Sequence, residues 1–141
     1  MMASILIPSN DSGLASALLA AGRPIDDLGE PGRSFFRVER DGRLQGYGGF
    51  ELYGQDALLR SVMVPAEVRG NGVGRIVTEA VLREIVNVGG KRVFLLTTGA
   101  SAFFEHLGFA LTDRSSAPPS ILGTRQASSI CATAAMLSRT L

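Results

Sequence analysis

Between residues 57 and 97 three sequence signals follow one another and leave few folds open. Ala57-Leu58-Leu59-Arg60-Ser61-Val62-Met63-Val64 is mostly apolar and too continuous for a strand with one wet face, so it belongs in the middle of a sheet. Pro65 interrupts its ladder. From Gly72 to Val88 apolar residues recur at Val73, Ile76, Val77, Ala80, Val81, Ile85 and Val88, with Arg75, Glu79 and Arg83 four apart on the exposed side. That spacing predicts an amphipathic helix. Gly89-Gly90 stops it, and Arg92–Thr97 reads as a second buried strand, parallel to the first through a right-handed crossover.

The flanks supply more of both element types. Ser4–Ile7 is a short strand closed by Pro8, and Ser9-Asn10-Asp11-Ser12 offers cap side chains to a helix carrying Leu14, Ala17, Leu18 and Ala21. Gly22-Arg23-Pro24 ends that helix, and 26–34 is a loop. Phe35–Arg40 and Leu44–Tyr53 are strands joined by Asp41-Gly42, the two-residue signal of a type I′ hairpin. Gly46, Gly48 and Gly49 mark either close backbone approach or a bulge. Ser101–Leu107 is a short helix, Gly108–Thr112 opens a strand, and Ala135–Thr140 is a last edge strand. With 141 residues, 45% of them hydrophobic, and no repeat or linker, one domain over 1–141 is expected.

Fourteen basic and thirteen acidic side chains leave a formal charge of +1. That is too little field for a main partner that is a nucleic acid or an anionic membrane. One cysteine and one histidine build neither a disulfide nor a Cys/His zinc site, so no metal is expected. The start has no basic leader before a long apolar core, and the longest near-apolar stretch, 14–21, is far below about 18 residues. A cytoplasmic protein is the expectation.

Val64 to Arg75 carries the chemistry. Its glycines admit a ligand close to backbone N–H groups, the helix start adds unpaired donors, and Arg69 adds a guanidinium. The segment reads either as a pyrophosphate cradle or as an ordinary helix cap at Asn71. Neither a P-loop nor a dinucleotide fingerprint is met, since no Lys lies here and Arg75 stands where a third glycine would be needed.

The pattern Arg69-x-x-Gly72-x-Gly74 resembles the hallmark of the GCN5-related N-acetyltransferase family. Ser61-Val62-Met63-Val64 looks like that family's acetyl-CoA strand, and Ala102-Phe103-Phe104-Glu105-His106-Leu107-Gly108-Phe109 resembles its late helix. The likeness covers Phe35 to Thr112. Glu30-Pro31-Gly32 before Phe35-Phe36, Leu58–Val62, and Thr124-Arg125-Gln126-x-Ser128-Ser129-x-Cys131 resemble the branch associated with arsenic resistance. The resemblance implies a mixed α+β fold: a mostly antiparallel, twisted sheet of about six to seven strands, splayed at its centre and flanked by about four helices. It also implies acetyl-CoA as co-substrate, a small-molecule amine as acceptor, and a homodimer. The cofactor residues implied are Val62, Met63, Val64, Arg69, Gly70, Asn71, Gly72, Val73, Gly74, Arg75, Thr97 and Phe104. Three positions depart from the family: Phe104 replaces the usual acid tyrosine, Leu59 the usual base glutamate, and Thr97 a late asparagine.

Among substitutes, Glu51 on the strand paired with the central one is the candidate base, against a solvated sheet residue. Tyr47 and Tyr53 share its face by alternation, and His106 reads as an exposed helix residue. Arg60 is costly to bury unpaired, so it either grips a substrate oxyanion or pairs with Glu51 or Asp56. Arg33, Arg125, Ser128 and Ser129 are further substrate candidates, and Cys131 offers a soft thiol to a trivalent arsenical, or is a small buried hydrophobe. A non-catalytic acyl-CoA sensor and a protein or hydroxyl acetyltransferase stand as alternatives.

Overall fold

The computed structural model describes residues 1–130 and 133–141, with the backbone alone at 129 and 130. Seven strands form one sheet: β1 (Met2–Ile7), β2 (Arg33–Arg40), β3 (Arg43–Tyr53), β4 (Asp56–Met63), β5 (Arg92–Thr97), β6 (Ala110–Leu111) and β7 (Ala135–Thr140), in the spatial order β1-β2-β3-β4-β5-β7-β6. Four α-helices are α1 (Ser12–Ala20), α2 (Val73–Asn87), α3 (Ser101–His106) and α4 (Pro119–Leu122). Among the described residues only β4 and β5 pair in parallel, across the α2 crossover; the other pairs are antiparallel. This is the mixed α+β architecture expected.

Local chemistry explains the elements. The Asp11 side chain accepts the Leu14 N–H at 3.0 Å and caps α1. Asp41 and Gly42 take φ of 52° and 78°, the left-handed pair that a type I′ turn requires. On one face of the sheet α2 packs Val77, Val81 and Ile85 against Phe36, Val38, Phe50 and Leu59. On the other, α1 places Leu14 and Leu18 over Phe35, Tyr47 and Met63, and α4 covers Leu58, Phe94 and Met136 with Ile121.

A Cβ at Gly46 would stand 2.2 Å from the Met63 carbonyl oxygen, and one at Gly48 2.6 Å from Val81 Cγ2. These glycines therefore serve close approach, letting α2 lie down on β3. The extra residues that shift register are Gln45 opposite β2 and Ser61 in β4, where φ is +57°.

Two expectations are corrected. β7 is no edge strand: it lies between β5 and β6, with Met136 and Leu137 buried on opposite faces. The edge is the two-residue β6, shorter than the predicted strand. Val88 lies past the end of α2 as its C-cap and is 53% exposed, so it does not join the helix's apolar stripe.

Candidate active site

β4 and β5 pair only at Asp56–Arg92, Ala57–Val93 and Leu58–Phe94. Beyond Leu58, β4 follows β3 while β5 follows β7, and a V-shaped cleft opens between them. Backbone groups on the cleft side of β4 thus lack a ladder partner and remain open to the amides of an extended ligand. Within the V lies a slot of about 250 Å³ lined by Val62, Val64, Leu96, Thr97, Phe103 and Phe104. It runs into a pocket of about 180 Å³ that Leu59, Arg60, Ser61, Thr97, Thr98 and Gln126 help to line. At the other end Met63, Arg69, Gly70 and Gly74 line a third cavity of about 350 Å³.

The expected cofactor residues divide accordingly. Val62, Val64, Thr97 and Phe104 meet in the slot, and Met63, Arg69, Gly70 and Gly74 at its mouth. The helix cap is Gly72 in the left-handed region, φ 73°, and no side chain caps α2, so the reading of Asn71 as the cap is set aside. First-turn N–H groups at Gly74 and Arg75 are left to an outside acceptor. Nothing lies within 4 Å of a Cβ built on Gly72. The turn therefore leaves open space at Gly72 that fits an anionic group. Val73 turns inward and is 8% exposed. Arg69 Nε donates to the Val64 carbonyl at 2.9 Å, tying the turn to the strand end. Thr97 Oγ1 accepts the Gly99 and Ala100 N–H groups at 3.4 and 3.0 Å, which holds the loop before α3. Phe104 stacks edge-on with Phe103 and Phe109 and carries no proton to donate. His106 is exposed, its Nδ1 against the Ala102 carbonyl at 2.6 Å, and lines none of these cavities.

Behind the pocket lies a buried charge network. Arg60, 6% exposed, places Nη1 and Nη2 at 2.6 and 3.0 Å from the two Asp27 oxygens, and Nη1 at 2.8 Å from Glu51 Oε2. Its guanidinium lies 5.7 Å from the Phe35 ring centroid. The Arg33 guanidinium stands 3.6 Å from both carboxylates, and the Tyr53 hydroxyl donates to Glu51 Oε1. Burial works to raise the pKa of Asp27, but the hydrogen bonds and charge of Arg60, with the charges of Arg33 and Arg125, hold it below the ordinary 3.8. Burial, reinforced by Glu51, pushes the Tyr53 hydroxyl from 10.0 up to about 12.

This network relocates several candidates. Glu51 is fully buried, uses both oxygens and lines none of the cleft's cavities, because the loop carrying Asp27 covers the face that alternation alone leaves wet. Arg60 does pair with Glu51; Asp56 instead pairs with Arg92 at 3.2 Å. Arg33 joins the network, and Arg125 bridges Asp26 and Glu30. Ser128 Oγ donates to the Thr124 carbonyl at 2.7 Å. Tyr47 is packed in the α1 core. The Ser129 side chain and Cys131 lie outside the described residues. Two residues escaped the sequence reading. Asp27 carried a signal, a carboxylate in a Gly/Pro loop of a chain with a buried-strand arginine to neutralise. Arg23, just past α1, lines the pocket, the slot and the mouth together, and carried none.

Among the described residues no His/Cys/Asp/Glu group could hold a metal ion, and no helix is long and apolar enough to cross a membrane.

The family model described as acetyltransferase (GNAT) family matches residues 8–109. No curated protein matches the chain. Among solved structures, N-acetylglutamate synthase from Neisseria gonorrhoeae, complexed with coenzyme A and N-acetyl-glutamate, is similar at TM-score 0.79 and 17% identity over 100% of this chain. This chain spans 35% of that protein's length. A GNAT-family acetyltransferase from Staphylococcus aureus gives 0.77 at 17% identity, covering 100% of this chain and 99% of the other. An acetyltransferase from Streptococcus agalactiae gives 0.73 at 17%, covering 99% and 98%.

Proposed function

This chain belongs to the acetyltransferase (GNAT) family, and we propose that it is an acyltransferase that moves an acetyl group from acetyl-CoA to the amine of a small molecule. The observation that carries this is the parting of β4 from β5 after Leu58–Phe94, beside which three adjoining cavities with shared lining residues reach from the glycine turn to the pocket at Arg60 and Ser61. The coenzyme A complex of a similar fold supports it.

When bound, acetyl-CoA supplies the acyl carbonyl and a thiolate leaving group. Backbone N–H groups of residues 70–75 and the terminal nitrogens of Arg69 hold its pyrophosphate. The open edge of Val62–Val64 pairs with pantetheine, and an N–H near Val64 donates to the carbonyl oxygen. Phe104 keeps the slot dry. Among the described residues no carboxylate lines the acceptor pocket, whereas Arg23, with no carboxylate against it, does, so the acceptor amine is favoured in its neutral, attacking form. One C–N bond forms and one C–S bond breaks; the proton shed by nitrogen passes to water, and the thiolate takes one back. Glu51 and Asp27 act by positioning Arg60. A pocket of about 180 Å³ suits a small acceptor better than a protein tail. An amino-acid-like or arsenic-resistance-linked acceptor and a cytoplasmic homodimer complete the reading.

Calorimetric titration with acetyl-CoA and free CoA tests it on the native chain and Gly72→Glu. Binding by the native chain, weakened at least tenfold in a folded Gly72→Glu, is expected, because the new carboxylate enters the cradle without meeting a neighbour. Absence of native binding to either ligand refutes the proposal.

A further inference from the structure

We propose that the acceptor is an anionic amine, carrying a carboxylate or comparable oxyanion near its nitrogen, and that Arg23 is the residue that selects it; this rests on the acetyl-transfer reading above.

Arg23 is held where it can do so. Gly22 turns the chain out of α1 at φ 70°, and the Arg23 N–H bonds the Leu18 carbonyl at 2.9 Å, so the cap of α1 sets where the side chain departs. Of the other arginines that line the three cavities, Arg60 is paired with Asp27 and Glu51, and Arg69 is tied through Nε to the Val64 carbonyl; behind them Arg33 faces Asp27 and Glu51, and Arg125 bridges Asp26 and Glu30. Among the described residues the Arg23 guanidinium has no hydrogen-bond or ion-pair partner. It borders all three cavities, the place where an acceptor in the pocket meets a thioester in the slot.

The charge balance points the same way. In the buried network two guanidinium groups face two carboxylates and cancel, and no Asp or Glu lines the pocket, the slot or the mouth. In the pocket and the slot, Arg23, a solvent-exposed side chain, is thus the arginine that no carboxylate balances. A carboxylate there gains charge-assisted, bidentate hydrogen bonds, with Ser61 and Thr98 hydroxyls beside it. A second cation on the acceptor meets only repulsion.

The anion Arg23 meets could come instead from a phosphate of acetyl-CoA, and the test separates the two. Turnover is measured for acid and amide pairs, glycine with glycinamide and aspartate with asparagine, together with aminomethylphosphonate and ethylenediamine. Binding of the same compounds to the CoA-saturated protein is measured by calorimetry. We expect each acid to exceed its neutral or cationic counterpart at least tenfold in kcat/KM or in affinity. Arg23→Gln should erase that preference by raising KM for the acid at least tenfold, with acetyl-CoA affinity moving less than threefold. Arg23→Glu should turn the preference toward the diamine. Amides or the diamine matching the acids in the native protein overturn the proposal. So does an Arg23→Gln variant that loses acetyl-CoA affinity by the same factor as acid affinity, which would assign Arg23 to a phosphate. Failure of the native chain to bind acetyl-CoA refutes the acetyl-transfer reading itself and takes the proposal with it.

Discussion

Replacing Asp27 by alanine should cost about 3–5 kcal/mol of stability, and the size follows from what the carboxylate faces. Asp27 is 0% exposed, and its two oxygens take the fork of Arg60 at 2.6 and 3.0 Å. At 2.6 Å and an effective dielectric of about 20 the attraction is roughly 6 kcal/mol, which desolvation of several kcal/mol per ion largely offsets. The intact pair is therefore near neutral against an apolar filling. Removing one partner leaves Arg33 and Arg60 facing Glu51 alone, one buried positive charge in excess, and that imbalance is the penalty. Urea unfolding followed by circular dichroism measures it. The double variant Asp27→Leu/Arg60→Met should lose markedly less than the sum of its single variants, because it removes charge on both sides. A loss under about 1 kcal/mol for Asp27→Ala, or additivity in the double variant, would refute the reasoning. The acid limb follows as well. The folded pKa of Asp27 lies below 3.8, so its contribution is whole above pH 3.8 and is lost as the pH falls through the lower folded value.

Gly46→Ala should destabilise by about 3 kcal/mol in the same assay, since its Cβ would stand 2.2 Å from the Met63 carbonyl oxygen, whereas Gly99→Ala, with nothing within 4 Å, should move stability by less than about 0.5 kcal/mol. The Tyr53 hydroxyl, raised from 10.0 to about 12 in the fold, keeps its proton more tightly there than in the unfolded chain. Its contribution is whole below pH 10 and is lost as pH rises toward 12, so thermal midpoints should fall across that window in the native chain and much less in Tyr53→Phe.

How far the chain could be read in advance follows the range of the forces involved. The Asp41-Gly42 turn, the Asp11 cap and the stripe of α2 rest on neighbours within four residues, and each stands where its residues place it. The parallel β4–β5 pair follows from the handedness of one crossover. Whether β7 is an edge depends on which strand arrives beside it, and β6 comes from earlier in the chain, Leu111 standing opposite Leu137, 26 positions on, only by tertiary packing. Alternation on β4 fails at one point. Strict period two would put Met63 with Leu59 on the α2 face, but the extra residue at Ser61 sends Val62 there and Met63 to the α1 core. No local pattern announces a positive φ at a serine.

The sequence by itself determined the element types and their order as far as Leu111, the glycine-bearing turn at the start of α2 and the inventory of charges, because each rests on local chain stereochemistry or on composition; α4 was not legible in it. Only the tertiary structure decided which charges neutralise one another. Asp27 reaches Arg60 across 33 positions and Arg125 reaches Asp26 across 99, and a buried charge is stabilised by whatever opposite charge the packed chain brings within about 3 Å, not by its place along the chain. By that rule Glu51 lies within the protein interior, and Arg23 has no partner among the described residues at the mouth of the cleft.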